Sequence, residues 1–177
     1  MTQGNSLAAE VEFELTSPDV VDGKLGLKHF LSASPFAFGC SGDNVSPRLC
    51  WRGAPVGTKS FVLMVHDLDA PTGIGWMHWV VIDIPDSAAE LPQGVTAGGA
   101  GLPGDALQTR TDFGVPGYNG PCPPMPPEQP HRYRFTLYAI KEDFPKLDAN
   151  AMPALVAFHA LSTVSYTHLT LPTICSV

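Results

Sequence analysis

Two kinds of hydrophobic pattern run through the chain. Strict alternation marks Val11–Leu15 and again Arg132–Ile140, where Tyr133, Phe135, Leu137 and Ala139 fall on one face and Arg132, Arg134, Thr136 and Tyr138 on the other. A period of two predicts half-buried strands. Unbroken apolar runs mark Phe61–Val65 and Trp79–Ile82. Short runs of this kind predict strands covered on both faces, as in a sandwich core. Between them, His66–Gly75 holds too many breakers for a helix. One segment, roughly Ala151 to Ser162, predicts a helix that Asp148 or Asn150 would cap. Residues 32–58 predict loop, and residues 85–120 are mostly irregular. There is no repeat and no dividing linker, so residues 1–164 read as a single domain. Residues 165–177 lack a clear period; they read either as a final strand up to Pro172 or as a non-native extension.

Composition sharpens the fold class. The chain carries 18 Pro and 17 Gly in 177 residues, well above the average usage of about 12% for the two together. Both disrupt helix interiors, so a helical bundle is excluded. With 44% hydrophobic and 15% charged residues, there is apolar material for a packed core. The reading is a mainly β domain with stiff, turn-dense connections. Seven prolines crowd residues 115–130 (116, 121, 123, 124, 126, 127 and 130), where they predict a rigid rim or lid.

Charge narrows the partners. The formal net charge is -7, which repels phosphate backbones at long range. No basic and aromatic cluster tracks nucleic acid, and no polybasic patch docks on an anionic membrane. A small anion remains open, because a pocket can be locally positive. The N-terminus lacks a signal-peptide pattern, and no apolar run is long enough to span a membrane. Cys40, Cys50, Cys122 and Cys175 form no C-x-x-C pair, which points to free thiols in a cytoplasmic protein.

Three segments can carry chemistry: His66-Asp67-Leu68-Asp69-Ala70-Pro71, Trp76-Met77-His78-Trp79, and Tyr118-Asn119-Gly120-Pro121-Cys122 followed by His131-Arg132-Tyr133. The first two flank a short connection, so Asp67 and His78 are expected at one end of a sheet, with His131 and Tyr133 beside them if their strand is a neighbour. A phosphate there would need imidazole, hydroxyl and backbone N–H donors. Asp67 would accept from an imidazole N–H, and a cationic imidazole would be the phosphate partner. Trp76 and Trp79 would supply apolar walls. The plainer reading is that Asp67 and Asp69 organise an Asx-type turn. Two rival chemistries are an Asp67–His78–His131 metal set and a Cys122–His131 nucleophilic pair, either of which would make a hydrolase. Neither carries a supporting motif.

Taken in order, these segments resemble the phosphatidylethanolamine-binding protein family, in its bacterial and archaeal Raf-kinase-inhibitor-like branch. The resemblance adds Gly42-Asp43-Asn44-Val45-Ser46-Pro47-Arg48-Leu49-Cys50-Trp51, Gly57-Thr58-Lys59-Ser60-Phe61, Thr109-Arg110-Thr111-Asp112-Phe113-Gly114 and Gly117-Tyr118-Asn119-Gly120-Pro121, and covers roughly residues 10–163. It implies a Greek-key β-sandwich with a large antiparallel sheet, a smaller sheet and peripheral helices. It implies a non-catalytic pocket for a small anion, phosphate or a phosphoethanolamine headgroup, without a cofactor. Carried over, the ligand-binding residues are Asp67, His78, Pro121, His131 and Tyr133, and the wall is Asp69, Pro71, Trp76, Gly120 and Cys122. Relatives that modulate kinases or inhibit proteases suggest a protein partner, and a homodimer stays open. Two departures stand out. Leu68 replaces a proline of the family's D-P-D-A-P, which is expected to loosen that turn, and resemblance fades after Leu161, where the family's last element closes the pocket.

Overall fold

A computed structural model describes residues 12–33, 39–123 and 130–175, with residues 165–175 described by backbone alone. In chain order the strands are β1 (Glu14–Thr16), β2 (Val20–Val21), β3 (Lys24–Leu25), β4 (Leu49–Arg52), β5 (Ser60–Asp67), β6 (Trp76–Pro85), β7 (Glu90–Leu91), β8 (Leu107–Gln108), β9 (His131–Ile140) and, after the helix α1 (Pro153–Thr163), β10 (Val164–Cys175). They form a three-stranded sheet, β1-β4-β7, and a seven-stranded sheet, β2-β3-β10-β9-β5-β6-β8. Among the described residues all pairings are antiparallel except β3 with β10.

The unbroken apolar runs do what continuous burial requires. Phe61, Leu63 and Val65 of β5 and Trp79 and Val81 of β6 face the small sheet, where they meet Phe13, Leu15 and Trp51. The alternate residues, Val62 and Met64 with Val80 and Ile82, face the other way and pack under Val156 and Ala160 of α1. Among the described residues the architecture is therefore two sheets and one α-helix, with the central strands of the large sheet buried on both sides. Asp83, at φ +54, is the extra residue of a bulge, since Phe61 pairs with Ile84 but Leu63 with Val81. The bulge returns Ile84 to the sandwich face beside Val81.

Several expectations need correction. Residues 32–58 are not all loop: β4 lies there, a strand of four residues held by β1 and β7. The helix is capped by neither Asp148 nor Asn150. Met152 is its N-cap, without a side-chain bond, and Pro153 opens it. Asp148 instead accepts the Asn150 N–H (2.8 Å) in a turn upstream. The C-terminal segment continues past Pro172, pairing with β9 from Val164 opposite Ile140 to Cys175 opposite His131. Leu68 does not loosen its turn. Its N–H donates to the Arg132 carbonyl (2.9 Å), a bond proline has no hydrogen to make. Cys40 and Cys122 are not free thiols but a disulfide across 82 residues. Val11, Pro124, Pro126 and Pro127 lie outside the described residues.

Candidate functional site

The site is built where β5 ends and β6 begins. Asp67, the last residue of β5, stands opposite Trp76 on β6 and Tyr133 on β9. The connection between the strands turns at Gly75, φ +77, where a Cβ would lie 2.3 Å from His66 Nε2 and 2.5 Å from the Asp67 carbonyl. Only glycine passes there. His66 Nε2 in turn lies 3.1 Å from the Ile74 carbonyl, tying the connection to β5.

These elements enclose a cavity of about 370 Å³. Asp67, His78 and His131 contribute its polar lining, Trp76 and Phe113 its aromatic sides, and Ala70, Pro71, Thr72 and Cys122 the remainder. Asp67 serves both readings at once. Its Oδ1 accepts the Asp69 N–H (2.9 Å), an Asx turn, and its Oδ2 accepts from His131 Nδ1 (2.8 Å). His78 Nδ1 donates to the Asn119 carbonyl (2.7 Å), and the Asn119 N–H returns a bond to the His78 carbonyl (3.0 Å).

Of the residues expected at the site, Asp67, Pro71, Trp76, His78, Cys122 and His131 line the cavity together. Tyr133 does not. Its ring lies beneath, edge-on to His78 (5.1 Å) and stacked on His131 (6.5 Å), because the alternation of β9 aims it into the sandwich core with Phe135. Asp69 is drawn outward into a two-pronged pair with Arg132 (Nε to Oδ2 2.9 Å, a second guanidinium nitrogen to Oδ1 2.7 Å). Pro121 and Gly120 act through the backbone: the Pro121 carbonyl accepts the Leu31 N–H (3.0 Å). A Cβ on Gly120 would lie 2.1 Å from the His29 carbonyl. Asn44, at φ +54, braces the same segment. Its side chain donates to the Tyr118 carbonyl (3.0 Å) and accepts the Gly120 N–H (2.8 Å). Phe113, Ala70 and Thr72 were not singled out for the site, although Phe113 and Ala70 sit inside motifs the sequence marks.

The electrostatics divide the two histidines. Burial pushes His78 down to about 4, although the Asn119 carbonyl, Asp67, the Gly120 carbonyl and Asp112 all pull upward. His78 is therefore neutral near neutral pH, and the expectation of a cationic imidazole does not extend to it. His131 is the imidazole with a carboxylate partner. The hydrogen bonds of Arg132 hold the Asp69 carboxyl down at about 2. Among the described residues, no three His, Cys, Asp or Glu side chains group as metal ligands, since Asp67 and His131 are bonded to each other and His78 is turned to a carbonyl. The Cys122 sulfur is bonded to Cys40 and is no nucleophile in this state.

The pattern that defines the family described as "Phosphatidylethanolamine-binding protein" matches residues 26–170. The chain belongs to that family. It is 44% identical to the UPF0098 protein YbhB of Escherichia coli over 87% of this chain and 97% of that protein. The crystal structure of E. coli YbcL, described as a new member of the mammalian family, superposes with a TM-score of 0.86 at 38% identity, covering 94% of this chain and 99% of that one. A family homologue, CT736 of Chlamydia trachomatis, shares the fold at a TM-score of 0.75 and 24% identity, over 93% and 97% of the two chains. As a member of this family, the chain has the mainly β architecture its motifs announce. No helix among its described residues is long and apolar enough to cross a membrane.

Proposed function

We propose that the cavity at the end of the large sheet binds a small phosphoryl-type anion without chemically transforming it. The observation that carries this reading is the Asp67–His131 pair facing His78 across a preformed, largely aromatic cavity. Asp67 fixes the Nδ1 proton of His131 and leaves Nε2 to the ligand. The family's name points to a phosphoethanolamine headgroup, and the cavity exceeds what a bare phosphate fills, so an attached organic group fits the same space. The hydrolase alternative finds no support in a disulfide-bonded Cys122. Kinase or protease modulation is not part of this proposal. The disulfide favours an oxidising compartment over the cytoplasm that the cysteine spacing suggested.

Isothermal titration calorimetry with O-phosphoethanolamine and with inorganic phosphate tests the reading. The wild-type protein is expected to bind both. His131→Ala, folded by near-UV circular dichroism, is expected to bind at least about 10-fold more weakly, the scale of one lost charge-assisted bond. Unchanged affinity in that variant would overturn the assignment.

A further inference from the structure

We propose that the Cys40–Cys122 disulfide is a redox-sensitive latch on this cavity: a dithiol that reduces it leaves the protein folded and lowers its affinity for the anion. The proposal rests on the anion-binding reading and concerns how that binding is regulated. It starts from the segment that ends at Cys122. Tyr118 Oη donates to the His29 carbonyl (2.9 Å), and the Asn44 side chain holds both the Tyr118 carbonyl and the Gly120 N–H. The Leu31 N–H closes on the Pro121 carbonyl. A Cβ at Gly120 would meet the His29 carbonyl at 2.1 Å and the Leu31 nitrogen at 2.7 Å, so main chain packs directly on main chain. Cys122 comes next and lines the cavity beside Asp67, Trp76 and His131. Its bond to Cys40 is the covalent end of the same series. Hydrogen bonds hold the floor beneath His78 with or without that bond; the bond holds the wall residue.

The two sulfurs differ in access. Cys40 is 8% exposed, whereas Cys122 is half-buried and borders the cavity. Thiol–disulfide exchange depends on which sulfur an incoming thiolate reaches, and here that is Cys122 Sγ. One thiolate of the dithiol bonds to Cys122 Sγ, and the Cys40 sulfur leaves as a thiolate and takes a proton. The second thiolate of the dithiol then displaces the Cys122 sulfur, which takes the other proton, and the dithiol closes into its own disulfide. Two electrons and two protons have passed from the dithiol to the protein. Losing one cross-link costs less than the whole stability of an ordinary domain, so the reduced chain is expected to stay folded. Its Cys122 samples positions that the bond forbade. Returning one residue's backbone to a single conformation costs the anion about an order of magnitude in affinity.

Calorimetry with inorganic phosphate on the oxidised protein and on the protein reduced with dithiothreitol tests the latch, with near-UV circular dichroism recording the fold of each. Reduction is expected to weaken binding about 10-fold. Cys40→Ser leaves Cys122 in the wall; it is expected to match the reduced protein and to ignore dithiothreitol. By reciprocity, saturating phosphate should make the disulfide about 10-fold harder to reduce, a shift of about 30 mV for a two-electron couple. Mass spectrometry of the alkylated Cys40 and Cys122 peptides reads that shift in a dithiothreitol redox buffer. Equal affinity of the oxidised and reduced proteins, Cys40→Ser binding as tightly as the oxidised wild type, or an equilibrium that phosphate does not move overturns the latch and leaves the anion pocket standing. Failure of the oxidised protein to bind phosphate overturns the pocket and the latch together. A reduced chain that has lost its near-UV spectrum also overturns the latch, because the bond is then a structural staple.

Discussion

His29 and His78 are almost the same residue in two places. Both are buried, and each has Nδ1 2.7 Å from a main-chain carbonyl, Val45 for one and Asn119 for the other. Burial lowers both, although in each case a carbonyl and a carboxylate pull upward. What differs is the surroundings of the second nitrogen. His29 Nε2 lies 3.7 Å from Asp19 Oδ1, and Asp19 is already occupied by Lys28 (3.1 Å), Gln93 (2.7 Å) and the Arg48 N–H (2.7 Å). Burial alone would raise the Asp19 carboxyl, but those donors together hold it below the usual range. Asp19 is thus spent on its donors, while His29 Nε2 makes no hydrogen bond among the described residues, and both residues line a second cavity with Lys24 and Lys28. At His78 the side chain borders a cavity with aromatic sides, beside the bonded Asp67–His131 pair. The same imidazole geometry is scaffold in one place and a candidate ligand contact in the other. The deciding difference is what lines each cavity: Asp67, His131, Trp76 and Phe113 beside His78, against Asp19, Lys24 and Lys28 beside His29.

The largest expected effect joins the two regions. The Cys40–Cys122 bond ties the loop after His29 to the segment beneath His78. Reduction, or Cys40→Ser, should lower unfolding stability by about 4 kcal/mol, the loop-closure scale for an 82-residue separation; denaturant titration with and without reductant measures it. Acid should come next. The folded His78 value near 4 lies below the ordinary histidine value of 6.5, so the unfolded chain takes up the proton first. Stability is full above about pH 6.5 and falls until about pH 4, by up to about 3 kcal/mol. His29 shifts in the same direction and adds to that slope. Asp69, depressed to about 2 from 3.8, contributes above pH 3.8 and loses its contribution as pH falls through about 2. Melting curves across pH 4–8 should therefore show one clear decline below pH 6.5, with only a slight further contribution from the solvent-screened Asp69 pair at lower pH; a flat profile from pH 4 to 6.5 would refute the His78 value.

A smaller effect separates the histidines directly. His29→Leu orphans the Val45 carbonyl and should cost about 1–3 kcal/mol of stability, while phosphate affinity stays within about twofold. A matching loss of affinity would erase the distinction between scaffold and site. The smallest effect belongs to Asp69→Asn. Arg132 is 65% exposed in that pair, so the melting temperature should move by no more than about 2 °C.

Much of this was legible in sequence because it rests on short-range pattern. The runs at Phe61–Val65 and Trp79–Ile82 and the alternation of β9 are signals of local burial. Asp67, His78 and His131 stand at the ends or beginnings of those strands, so locating the strands also located the polar cavity lining. What escaped depends on partners distant in the chain. β4 is too short to announce itself and takes its hydrogen bonds from β1 and β7. Cys40 and Cys122 carry no spacing that encodes their pairing. The outward turn of Asp69 is set by Arg132, 63 residues away. Tyr133 was legible as a strand residue, but alternation tells which face a ring takes and not how deep it lies, and its ring stands behind the two cavity histidines.

The partner that sets the His78 tautomer is a carbonyl of the main chain, and every amino acid at position 119 would bring the same oxygen. The place of the proton on that ring is set by where the backbone runs, and the Asn119 amide helps to hold that backbone through Thr111 Oγ1 and the Gly117 carbonyl (3.2 Å each). That place can be changed only by moving the backbone, and Gly120, Asn44 and the disulfide all hold that backbone still. A lineage could vary the walls of this cavity freely, adjusting what the ligand carries, while the acid–base character of its floor stayed constant.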